Sequence, residues 1–286
     1  MKHALALLLL SSSSLLLPAT PVAAQELAFP QASPPALVRN QVGLTTVEIE
    51  YARPGVKGRK IFGALVPYGK IWRTGANTAT RVSFSTDVMV GGETVTAGDY
   101  ALFTIPGETE WTIILNTVAG QWGSYAYSEA QDVLRVKVPA ETVEHVETMH
   151  LDLENIHKAS ADLTLTWETT RVRVPLEIDI VGVMVPKIEA AMAASGADKP
   201  YLSAAMFYYD HDIDMDMALE WIDAGLAQQP GAVWIQYRKG LIQAHMGDKD
   251  GARDSAEKAM EMAAQMGGEL GAEYARLSES LLERLN

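Results

Sequence analysis

The spacing of apolar residues changes once along this 286-residue chain, near Pro175. From about Thr45 to Val174 they recur at every second position. Val47, Ile49 and Tyr51 alternate with Glu48 and Glu50; Leu134, Val136 and Val138 alternate with Arg135 and Lys137; Leu163, Leu165 and Trp167 alternate with threonines. Successive side chains of a strand point to opposite faces, so this period predicts strands with one buried face. Gly91-Gly92, between Val88-Met-Val90 and Thr94-Val-Thr96, predicts a tight hairpin. About ten short strands with no helical crossovers predict an antiparallel sandwich or barrel. Beyond Pro175 the composition turns to Ala, Met, Glu, Asp and Leu and the period becomes helical.

Each half carries a refining signature. Val95-Thr-Ala-Gly-Asp-Tyr100 has the form of a tyrosine corner, in which a Tyr hydroxyl bonds back to upstream backbone in Ig-like sandwiches. In the second half Asp214-Met-Asp-Met-Ala218 aligns with Asp248-Lys-Asp-Gly-Ala252 at a spacing of 34, and Gly225 aligns with Ala259. That spacing resembles tetratricopeptide repeats, whose small residues let paired helices approach closely. Helices are predicted over 179–195, 199–210, 215–228, 232–246, 249–265 and 268–285. The fold class is an antiparallel Ig-like β-sandwich followed by tetratricopeptide-like helical hairpins. With so few repeats, the tail is expected to need the sandwich to pack against.

The first residues read as an export signal. Lys2 and His3 precede an apolar run from Ala4 to Leu17, and Val22-Ala23-Ala24 offers a cleavage site before Gln25. The division expected is a signal peptide at 1–24, a lead-in at 25–44, the sandwich at 45–176 and the helical domain at 177–286. The mature protein is expected to be periplasmic or secreted. No other run reaches membrane-spanning length, and a chain without cysteine has no disulfide framework. A formal charge of −13 argues against nucleic acid as a partner of the whole surface.

One segment inverts that sign. Between Glu50 and Asp87 there is no acidic residue, yet there are seven basic ones: Arg53, Lys57, Arg59, Lys60, Lys70, Arg73 and Arg81. The segment is rich in glycine and aromatics, the composition of a binding loop. One reading makes it a site for a small anionic or sugar-like ligand. Arg53, Lys57, Arg59, Lys60 and Arg73 would hold it, with Tyr68, Trp72, Asn77 and Trp122 beside them, because guanidinium forks match carboxylates and phosphates. The competing reading is a clasp, whose arginines satisfy the loop's own carbonyls. Trp122-Gly-Ser-Tyr125-Ala-Tyr127 is a second candidate, either a stacking platform or a loop stapled to the core by its rings.

The residues Tyr51-Ala-Arg-Pro-Gly-Val-Lys-Gly-Arg-Lys-Ile-Phe-Gly63, Leu65-Val-Pro-Tyr-Gly69, Trp72-Arg-Thr-Gly-Ala-Asn77 and Ala97-Gly-Asp-Tyr-Ala-Leu-Phe-Thr-Ile-Pro106 resemble the family termed domain of unknown function 2911. The resemblance runs from about Ser33 to Ile178. It implies exported bacterial proteins with no established activity, and it supplies no catalytic residues.

Catalytic and metal motifs are missing from the sequence. No G-x-S-x-G, H-E-x-x-H or phosphate-binding glycine pattern occurs, so no cofactor is expected. Asp210, Asp212, Asp214 and Asp216 lack the Gly and Glu of a calcium loop in either register and read instead as turn and cap residues. The catalytic alternative is a hydrolase of carbohydrate or cell-wall fragments, pairing Glu48 or Asp87 with Glu168. A third reading is a scaffold binding a protein partner through Tyr208, Tyr209, Trp221, Trp234 and Tyr237 of the tail. The favoured reading is a non-catalytic binding module.

Overall fold

The computed structural model describes residues 29–196 and 199–285. The expected signal peptide lies outside them. Nine strands come first: β1 (Pro35–Val42), β2 (Thr45–Ala52), β3 (Thr80–Phe84), β4 (Val88–Val90), β5 (Glu93–Val95), β6 (Gly98–Ile105), β7 (Glu110–Asn116), β8 (Asp132–Glu154) and β9 (Ser160–Glu177). All pair antiparallel, in the order β1-β2-β3-β6-β7-β8-β9-β4-β5. Six helices follow: α1 (Ile180–Ala193), α2 (Tyr201–Asp210), α3 (Met215–Gln228), α4 (Val233–His245), α5 (Lys249–Met266) and α6 (Gly268–Leu285). None of the described helices is long and apolar enough to cross a membrane.

The sandwich turns on β8. Its first part pairs with β7 from Asp132 to Pro139, and its second part pairs with β9 from Ala140 to Glu154. One 23-residue strand therefore belongs to both layers. Its register slips between Thr142 and Val146 and again before His150. Bulges of this kind bend a strand and let it pass from one layer to the next. The alternating residues of both layers meet in one core that includes Ile49, Val82, Leu115, Leu151 and Leu165. The tyrosine corner is present: the Tyr100 hydroxyl donates to the Thr96 carbonyl at 2.9 Å. The predicted glycine hairpin joins β4 to β5, with Gly91 at φ 58° and Gly92 at φ 89°, a conformation other residues adopt at a cost.

The helical half has its own cores, built at the predicted period. Asp214 accepts the Met217 amide at 3.0 Å and Asp248 accepts the Gly251 amide at 3.0 Å, so the 34-residue spacing is a repeated N-cap. Ala218 and Ala252, also 34 apart, are both fully buried. A Cβ on Gly240 would stand 3.1 Å from Leu281, showing how closely α4 and α6 approach. Tyr208 and Trp221 are buried against each other, and Tyr237 packs edge-on to Tyr274. These rings fill helix interfaces. Where the halves meet, Ile180 packs on the sandwich core and Lys158 pairs with Asp210 at 3.1 Å.

Candidate ligand cleft

The loop from Arg53 to Arg73 is held by its apolar residues. Val56, Ile61, Phe62, Val66 and Trp72 all enter the sandwich core. Phe62 meets Trp111 edge-on at 4.8 Å, and Trp72 stacks on Trp167 at 6.0 Å. The Trp72 indole N–H donates to the Gly75 carbonyl at 3.1 Å, so the ring is both packed and satisfied. Pro54–Val56 lies along β8: the Val56 amide donates to Glu147 O and the Met149 amide to Pro54 O.

The cations follow from that anchoring. Arg53 Nε donates to the Met149 carbonyl at 3.2 Å. Arg59 donates to the carbonyls of Val56 and Gly55, closing its own turn. Arg81 Nη2 and Nε bind Glu50, at 2.6 and 3.2 Å, and Nη1 reaches Asp99 at 3.2 Å. That pairing raises the Arg81 pKa further, with the hydrogen bond to Glu50 as the largest cause. Lys57, Lys60 and Lys70 lie on the exposed outside of the loop. Arg73 is half-buried, and its Nε is buried without a partner. Tyr68 is exposed beside Gly63. The charge inversion of this segment thus comes from a clasp with apolar residues inward and cations outward. Trp72, at 7% exposure, is a core residue.

A different place is open. The outward face of β1, β2 and β3 carries one cross-strand row, Leu37–Glu50–Arg81, continued by Ala101 on β6. Over β6 and β7 that face is covered, where Ala79, Ala101, Phe103 and Ile114 form a small core beneath Ile71 and Tyr127. Over β1–β3 it is uncovered. The result is a cleft of about 920 Å³, walled by residues 76–79 and by Gly120 and Trp122, with Gln31 and Ala32 at its rim. Of the residues nominated from sequence, Asn77 and Trp122 line it; Arg53, Lys57, Arg59, Lys60, Tyr68, Trp72 and Arg73 do not.

The wall bearing Trp122 is fixed to the sheet. Thr78 and Trp122 form a bridge, the Gly123 amide donates to the Asn77 carbonyl at 3.0 Å, and the Ala79 amide donates to Gln121 O at 2.9 Å. Asn77 has φ 60°, and its amide nitrogen donates to Gln31 Oε1 and the Ser33 carbonyl, tying the rim to the wall. Farther along, the Tyr127 hydroxyl donates to Asp132 at 2.7 Å and accepts from Arg135 at 2.8 Å. Asn116 donates to the other Asp132 oxygen at 2.8 Å. Burial first, then the bond to Asp132, pushes the Tyr127 pKa up to about 12. From this frame the Trp122 ring stands 65% exposed and the Tyr125 ring 88% exposed.

The carboxylates of the hydrolase alternative are dispersed. Glu48 pairs with Arg39 at 3.0 Å, Asp87 accepts the Ala97 amide at 2.8 Å, and Glu168 accepts the Ile61 amide at 3.4 Å. Among the described residues no group of three or more His, Asp or Glu is placed to hold a metal ion. Asp210 and Asp212 pair with Lys158 and His245, while Asp214 caps α3.

This is a sandwich protein with an open cleft over β1–β3, followed by a helical domain. The family model described as "Protein of unknown function (DUF2911)" matches residues 33–176, half of the chain, and the chain belongs to that family. No curated protein and no solved structure matches it.

Proposed function

We propose that the protein is an exported, non-catalytic binding module that holds a small ligand in the β1–β3 cleft. The observation that carries this reading is an indole ring, Trp122, left mostly in solvent over a cleft of about 920 Å³. Concave sites of that size suit small ligands, and aromatic rings are common in their linings. The sequence placed the ligand on the basic loop. The cleft is the better place, because the basic loop sends Phe62 and Trp72 into the core and closes on itself through bonds from Arg53 and Arg59 to backbone carbonyls. The lining argues against glycoside hydrolysis in this cleft, since Glu50 is its single carboxylate and is bound bidentately by Arg81. A retaining or inverting pair of carboxylates needs two across one gap.

Native mass spectrometry of protein isolated from its own host tests this. A co-purifying small molecule is expected, and Trp122→Ala is expected to lose it. Retention undiminished in Trp122→Ala would place the ligand elsewhere. Export predicts a mature N-terminus at Gln25, read by N-terminal sequencing; an intact Met1 in the folded, functional pool would overturn it.

A further inference from the structure

Resting on that placement of the ligand, we infer that the cleft takes an uncharged sugar ring of a short oligosaccharide. Trp122 stacks on its C–H face, and the Glu50–Arg81 pair bonds its hydroxyls.

Charge separates the ligand classes. Glu50 and Arg81 are the charged residues of the lining, and they neutralise each other. Asp99 lies on the far side of the same guanidinium, and Ser83 also donates to Asp99. An anion entering the cleft meets a cation already flanked by two carboxylates. A cation entering it competes with a guanidinium for Glu50. Neither gains a free counter-charge, and stripping water from either is expensive. A neutral polyol escapes both penalties.

The same pair is well made for hydroxyl groups. Arg81 has five N–H donors, of which the Nε bond, one Nη2 bond and one Nη1 bond are committed. Two donors remain, and each Glu50 oxygen keeps a lone pair. Donors and acceptors thus sit side by side in one plane, held by the pairing before any ligand arrives. Adjacent sugar hydroxyls, which both donate and accept, match such an edge. Trp122 supplies the apolar half of the recognition, since one face of a pyranose ring presents only C–H groups. Its wall is pre-ordered by the Thr78 bridge and the Tyr127–Asp132–Arg135 network, so binding orders little backbone. Leu37, exposed on the same cross-strand row, offers an apolar contact along the floor.

The test is isothermal titration with neutral hexasaccharides (α- and β-linked glucose, β-linked mannose and N-acetylglucosamine) beside anionic hexagalacturonate. The proteins are the full chain, Trp122→Ala, Trp122→Phe and the loop control Lys57→Ala with Lys60→Ala. At least one neutral sugar is expected to bind. Trp122→Ala should weaken it roughly ten-fold or more, as the loss of one stacked ring does. Trp122→Phe should recover part of that, and the loop control should bind normally. Hexagalacturonate preferred over every neutral sugar, and lost in Trp122→Ala, would overturn the ligand class while leaving the cleft as the site. Binding that survives Trp122→Ala and fails in the loop control would overturn both. No binding by any hexasaccharide would overturn the sugar inference alone, the cleft then standing or falling on the co-purified ligand.

Discussion

Two loops of this sandwich carry glycines and three aromatics each and meet opposite fates. Residues 53–73 and residues 120–127 both mix aromatics with glycine. The first sends Phe62 and Trp72 into the core and leaves Lys57 and Lys60 in water. The second leaves Trp122 and Tyr125 in water and turns Tyr127 onto Phe103. Anchoring decides which happens. The first loop lies along the edge of β8, above the open side of the sandwich core, where rings can drop between the layers. The second crosses the outer face, where a small apolar patch lies around Phe103 and Ile114. One ring finishes that patch, and the others stay in water.

The comparison breaks most easily at its two tryptophans. Trp72→Ala should cost about 3–5 kcal/mol, because it opens a cavity between Phe62, Trp111 and Trp167. Trp122→Ala should stay within about 0.5 kcal/mol. Urea unfolding followed by circular dichroism measures both, and equal losses would mean that the two loops play the same part.

The network that fixes the second loop comes next. Tyr127→Phe removes a donor to Asp132, whose side chain is only 4% exposed, and should cost about 1–2 kcal/mol. It also sharpens a pH prediction. The neutral form of Tyr127 is favoured in the folded state, where its pKa rises from 10 to about 12. Its contribution is therefore complete below pH 10 and drains away as pH rises toward 12, the unfolded chain losing its proton first. The wild-type protein should lose stability more steeply over that window than Tyr127→Phe. Identical alkaline slopes would show that the hydroxyl titrates freely.

Smaller effects separate the two halves of the chain. Asp214→Ala and Asp248→Ala should each cost about 1 kcal/mol, read as thermal shifts in the helical half, since each removes an N-cap. A shift at one and none at the other would break the repeat. Smallest of all, Arg81→Ala should cost less than about 1 kcal/mol and matter less in high salt, because its ion pairs are partly exposed. A larger, salt-independent loss would make this pair part of the scaffold and not of the cleft.

What the sequence made legible follows the same physics. The helices are predicted to within a residue or two, as with 215–228 and 268–285, because an amphipathic period and two aspartate caps fix both face and start. β1 escaped notice: it is an edge strand that buries only Val42 fully, and its inward row Ala36, Val38, Asn40 and Val42 mixes apolar with polar residues, so the alternation in burial is blurred in the sequence. β8 reads as separate short strands around Leu134–Val138 and Met149–Leu153 because its bulges shift the register within an acidic stretch. Of the cleft, Trp122 and Asn77 were visible as unusual residues in unusual loops. Leu37, Glu50 and Arg81 were not brought together, since only strand pairing puts Glu50 opposite both Leu37 and Arg81. The outward alternation of Glu48 and Glu50 was a signal for the exposed face, but register cannot be counted from one strand.

The double membership of β8 has a mechanical side. A strand that serves as the last rung of one layer and the first of the other leaves no seam along which the sandwich can be halved. Amides on either side of Pro139 should therefore exchange with deuterium at one shared, slowest rate, and no fragment ending between 132 and 154 should hold a native half. A single protease cut in the bulge at 142–148 should unfold both layers together.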